Sequence, residues 1–165
     1  MSAVPNEIRK EVVLKAPQRR VWKALSNADA FGAWFGVRFD GPFVAGQKIT
    51  GKITPTEVDP EVAKMQKPYE GKAFEFVIDR IDPESLFSFR WHPFAIDEAV
   101  DYSAEEKTLV TFELSTVPEG TRLIITESGF DKIPAARRAQ AFAANDGGWQ
   151  HQAKLIEKYL AIHAS

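Results

Sequence analysis

A chain of 165 residues with 21 Lys and Arg against 23 Asp and Glu carries a formal charge of −2, without the basic excess that a phosphate backbone demands, so nucleic acid is excluded as the main partner. Hydrophobic residues make up 44% and charged residues 27%, the balance of one globular domain over residues 1–165, and 12 Phe, 4 Trp and 3 Tyr supply an aromatic-rich core. There is no cysteine, which excludes disulfides, thiolate metal sites and cysteine nucleophiles.

In chain order, Glu7 to Leu14 mixes Ile and Val with charges, the pattern of a strand exposed on one side. Glu7, Arg9, Lys10 and Glu11 interrupt any signal-peptide core, and no apolar run is long enough to span a membrane, so a cytoplasmic location is expected. Pro17 opens a helix carrying Val21, Trp22 and Leu25 close together. Ser26, with Asp29 three residues on, reads as the capping box of a second short helix ending near Trp34, Phe35 and Gly36.

From Val37 to Thr126 the pattern is β throughout, with strands expected at Val37–Phe39, Lys48–Thr54, Gly71–Ile81, Leu86–His92, Thr108–Thr116 and Thr121–Glu127. Turn signals such as Gly41-Pro42, Asp59-Pro60 and Asp82-Pro83 separate them. Alternation puts Phe74, Phe76 and Ile78 on one face, and likewise Phe87, Phe89 and Trp91; Val110, Phe112 and Leu114; and Leu123, Ile125 and Glu127. One face of an antiparallel sheet is therefore aromatic. From Pro134 to about His163 the spacing is helical, with Ala135, Ala139, Phe142, Trp149, Ala153, Ile156 and Leu160 forming the apolar stripe. Gly147-Gly148 sit in mid-helix at a cost of ~1 kcal/mol each relative to Ala, and Asn145 and Asp146 occupy places where the stripe should continue.

This order of elements, with Ala16-Pro17, Val21-Trp22-x-x-Leu25, Trp34-Phe35-Gly36, Ile81-Asp82-Pro83, Phe89-x-Trp91, Thr121-x-Leu123, Ser128-Gly129-Phe130 and Gly147-Gly148-Trp149, resembles the SRPBCC superfamily. Within it the chain is most similar to the branch of the C-terminal domain of the activator of heat shock protein 90 ATPase. The resemblance implies an α+β helix-grip fold, also called START-like or birch-pollen-allergen-like. In it a curved antiparallel sheet of about seven strands, in the order β-αα-β6-α, wraps a long C-terminal helix and leaves a cavity between them. It further implies binding of lipids, polyketides or similar hydrophobic molecules.

A cavity lined by Trp34, Phe74, Phe76, Phe89, Trp91, Phe112, Phe142 and Trp149 would suit a flat or hydrocarbon-rich ligand; the alternative is that these rings fill the core. Glu127 faces inward as a polar anchor or general acid/base, or else lies at the strand's wet end bonded to backbone or to a Trp N–H. Asn145 and Asp146 either line the cavity or are turned to solvent by unwinding at Gly147-Gly148. Arg90 and His92 fall opposite Phe89 and Trp91, outward or at the rim. Two loops, Pro55 to Tyr69 and the acidic Pro93 to Lys107, lie where access would be controlled.

Binding of a small hydrophobic or aromatic molecule between sheet and C-terminal helix is the leading expectation. Its rivals are a cofactor-independent cyclase, dehydratase or hydrolase in which Glu127, with Asn145, Asp146 or Arg90, would shuffle protons on the bound molecule, and a chaperone-associated, stress-response protein. His92, His151 and His163 have no ligand spacing and no Gly-rich phosphate loop appears, so neither a metal nor a nucleotide cofactor is expected. Exposed Trp or Phe at a strand edge would support a homodimer.

Overall fold

Seven strands form one sheet in the order β1-β7-β6-β5-β4-β3-β2, every neighbouring pair antiparallel. They are β1 (Glu7–Leu14), β2 (Val37–Phe39), β3 (Lys48–Ile53), β4 (Ala73–Asp82), β5 (Leu86–Trp91), β6 (Thr108–Val117) and β7 (Gly120–Ser128). Four helices, α1 (Gln18–Ser26), α2 (Ala28–Phe35), α3 (Pro60–Gln66) and α4 (Ala135–Ile162), complete the curved-sheet, long-helix architecture of a helix-grip fold. The computed structural model describes residues 6–93, 102 and 104–163, so most of the acidic loop expected at Pro93 to Lys107 lies outside the described residues. No described helix is long and apolar enough to cross a membrane.

The strand pattern follows the alternation. On β5, β6 and β7 the residues Phe87 and Phe89, Val110 and Phe112, and Leu123 and Ile125 are all fully buried. A register shift between Ile78 and Arg80 marks a bulge where β4 bends against β5. Against this face sits α2, whose Phe31 has its ring centroid 4.5 to 6.4 Å from those of Trp34, Phe35, Phe39, Phe43, Phe76, Phe87, Phe89 and Phe112. Eight rings around one is the centre of the core. The helix approaches β2 so closely that a Cβ on Gly32 would lie 2.1 Å from the Val37 carbonyl oxygen, and Gly36 ends it in the left-handed region at φ 92°.

Two local readings are corrected. Ser26 does not cap the second helix: its hydroxyl donates back to the Trp22 carbonyl at the end of α1, and Asn27 caps α2 by accepting from the Ala30 N–H at 2.9 Å. Asn and Ser compete for the same task, and the residue with extended backbone immediately before the helix wins it. The β pattern is also interrupted. Residues 60–69 are helical, as α3 followed by a short 3-10 turn at Lys67–Tyr69, because Asp59 accepts from the Glu61 and Val62 N–H groups and Pro60 occupies the first turn.

The last helix runs without a break through Gly147 and Gly148. Its N-terminal end is held by Arg137, which donates to Glu105 at 2.7 and 2.9 Å and to the Pro93 carbonyl at 2.8 Å, and its C-terminal end by Arg20, which donates to the Leu160 and His163 carbonyls at 2.9 and 2.6 Å. On the edge strand β1, Lys10 lies on the inward face between Ile8 and Val12 and pairs with Asp146 of α4 at 2.9 Å.

Candidate ligand-binding site

Alternation along three neighbouring strands aims Trp91, Thr108 and Glu127 at the same side of the sheet, and the pairings Trp91 with Thr108 and Val110 with Glu127 bring them to one end of it. From α4, Asn145 and Trp149, one turn apart, reach down to the same point. The result is a carboxylate with no solvent exposure that accepts hydrogen bonds from four side chains. Glu127 Oε1 accepts from the Trp149 indole at 2.8 Å and Asn145 Nδ2 at 2.9 Å; Oε2 accepts from the Trp91 indole at 2.8 Å, Thr108 Oγ1 at 2.5 Å and Asn145 Nδ2 at 3.1 Å. An ion buried in apolar surroundings costs several kcal/mol, and these donors are what offsets it. They also join β5, β6, β7 and α4 at a single residue.

The other predicted residues divide by position. Trp91, Glu127, Asn145 and Trp149 come together around the carboxylate. Phe76 and Phe89 stack at 3.9 Å between centroids, and Phe112 lies 5.8 Å from Trp149 and 6.2 Å from Phe89, all three fully buried in the ring cluster. Trp34 is equally buried, its indole donating to the Ala24 carbonyl at 2.9 Å. Phe74 is half-buried beside Phe39 and Phe76, and Phe142 pairs with Phe130 at 5.1 Å. Asp146 turns to Lys10, and Arg90 is exposed.

Three residues were not singled out in advance. Phe31 organises the rings. Phe35, half-buried, stands 6.1 Å from Trp91 and 6.3 Å from Trp149. Thr108 is the fourth donor, and its inward register two residues before Val110 was the available signal. An open groove of about 290 Å³ lies elsewhere, between the ends of β1 and α4, lined by Val13, Leu14, Lys15, Glu157, Leu160 and Ala161.

His92, at the end of β5, is half-buried, and its Nδ1 is buried without a hydrogen-bond partner. Burial, then the neighbouring Lys107, pushes its imidazole below the ordinary value, with Arg137 adding to the shift and Glu105 and Glu75 opposing it. A folded-state value below the unfolded one makes the stabilising contribution complete above about pH 6.5 and lost as the pH falls below it. His92→Phe should therefore flatten the drop in melting temperature between about pH 7.5 and about pH 5.5, and equal drops in variant and parent would remove this account. Among the described residues no group of three or more His, Asp or Glu side chains is arranged to hold a metal ion.

Comparison with known proteins gives the fold a lineage. A Mesorhizobium loti protein superposes with a TM-score of 0.68 at 21% identity, covering 94% of this chain and 96% of its own. A protein from Arthrobacter aurescens gives 0.70 at 17%, covering 94% and 86%. The Aha1 dimer from Colwellia psychrerythraea, solved in solution, gives 0.62 at 17%, covering 92% of each chain. At these identities the likeness is one of fold. No curated protein matches the chain at a significant level. The family model described as Activator of Hsp90 ATPase homolog 1-like protein matches residues 15–161, and with the helix-grip architecture around it the chain belongs to that family, a branch of the SRPBCC superfamily.

Proposed function

We propose that the protein binds a small hydrophobic or aromatic molecule between the sheet and α4, against the half-buried rings of Phe35 and Trp91, with Trp149 and Glu127 at the inner end. The observation that carries this reading is Glu127 itself: a fully buried carboxylate bonded to two indoles, with the part-buried Trp91 and Asn145 among its donors. Stability alone disfavours such a group, since well-packed apolar residues usually do as well or better in its place. Trp, Thr and Asn side chains keep their protons near neutral pH, so the shell suits holding a ligand rather than relaying a proton.

A ligand in contact with Trp91 or Trp149 should change the tryptophan emission. Screening a panel of hydrophobic metabolites by intrinsic fluorescence and thermal shift is expected to give at least one compound that raises the melting temperature and shifts the emission. Trp91→Phe should reduce the emission change, leaving the share reported by Trp149, and should lower the melting temperature of the unliganded protein by several degrees, because the buried carboxylate loses a donor. A panel in which no compound does either would end the reading.

A further inference from the structure

Glu127 makes no hydrogen bond or ion pair with a Lys, Arg or His among the described residues, and Lys10, the cation on the same inward face of the sheet, is held by Asp146. Building on the binding reading above, we propose that the molecule taken up is an aromatic or hydrocarbon-rich amine or amidine, whose N–H groups take the place of the Asn145 amide on Glu127. Of the four donors, Thr108 and Trp149 are buried, and Trp91 is wedged at 5.5 to 5.7 Å between the rings of Phe76, Phe89 and Trp149. Asn145 is part-buried, and its one amide nitrogen is divided between the two oxygens at 2.9 and 3.1 Å. It is the donor that leaves most easily.

Its departure opens one acceptor position on each carboxylate oxygen, side by side. An amidine or guanidine fills both with parallel N–H groups, and an ammonium fills them with two of its three. The same group supplies the positive charge that the buried carboxylate lacks. The rings of Phe35, Trp91 and Trp149 stand around that end of the site and attract a cation within about 6 Å of their centroids. A carboxylic acid meets the opposite situation: the donors of the shell are engaged by Glu127, and two like charges face each other where little water screens them.

The test uses naphthylethylamine, naphthylethanol, naphthylacetate and ethylnaphthalene, matched in shape, with benzamidine as the two-donor case, titrated against the full chain by calorimetry and tryptophan emission. The amine is expected to bind at least about tenfold more tightly than the alcohol or the hydrocarbon, and the acetate more weakly than either. Asn145→Ala should tighten the amine about three- to tenfold more than it tightens ethylnaphthalene, because only the amine has to displace the donor. If Asn145→Ala does not fold, Asn145→Ser, with a shorter side chain, should show the same ordering. Hydrocarbon, alcohol and amine bound equally, or the acetate preferred, would overturn the assignment while the binding reading stands. Failure of all five to bind the parent chain and both variants would remove the binding reading and this assignment together.

Discussion

Replacing Glu127 by Ala is expected to lower the unfolding free energy by about 3–5 kcal/mol, because the neutral donors around it are left buried without an acceptor. Two indole N–H groups, a hydroxyl and an amide lose their acceptor at once, and each buried donor left unsatisfied costs about 1–3 kcal/mol, with the sum reduced by whatever water enters. Glu127→Gln is nearly the same size but keeps only one acceptor oxygen, so its own NH2 faces donors of the shell. A loss of about 2–3 kcal/mol is expected there. Urea denaturation with an unchanged m-value would report both losses as stability, and a loss below about 1 kcal/mol for Ala would mean that the shell rehydrates freely and holds nothing together.

The second large effect is at Phe31. Phe31→Ala should cost about 3–5 kcal/mol, because it removes the ring about which eight others are packed and leaves a void those rings cannot all close. Phe31→Leu retains most of the volume and should cost about half as much. Since Trp34 is one of the touching rings, the alanine variant should also show altered tryptophan emission in its native state. Loss of less than about 1.5 kcal/mol on Phe31→Ala would show that α2 settles onto the sheet and that the ring cluster is not rigidly organised around this residue.

The same residues show how far the amino-acid sequence speaks for itself. Strands β4 to β7 are legible because alternation is a property of single residues: Phe87, Phe89 and Trp91 share a face whatever lies beyond it. The inward aim of Glu127 follows from the same rule, and Asn145 stands out as a polar residue in the apolar stripe of α4 without revealing its partner. That the partner is Glu127 was not legible, since the donors come from positions 91, 108, 145 and 149 and meet only after the sheet is assembled. Residues 60–69 were missed for a different reason: α3 is seven residues long and buries no residue, so it shows no amphipathic stripe, and Asp59-Pro60 signals a turn as readily as a helix start. Gly147 and Gly148 argue against helix on propensity, yet α4 continues through them, with Trp149 directly after them buried and bonded to Glu127.

Lys10 has a consequence for behaviour in concentrated solution. A long border strand invites another molecule to add itself by main-chain pairing, and the safeguard is a charged group aimed into the side such an addition would need to cover. Growth of one sheet onto the next along β1 would dehydrate the ammonium and its carboxylate partner on both molecules, so stacking into extended ribbons is opposed there, and any association between copies is directed to other surfaces.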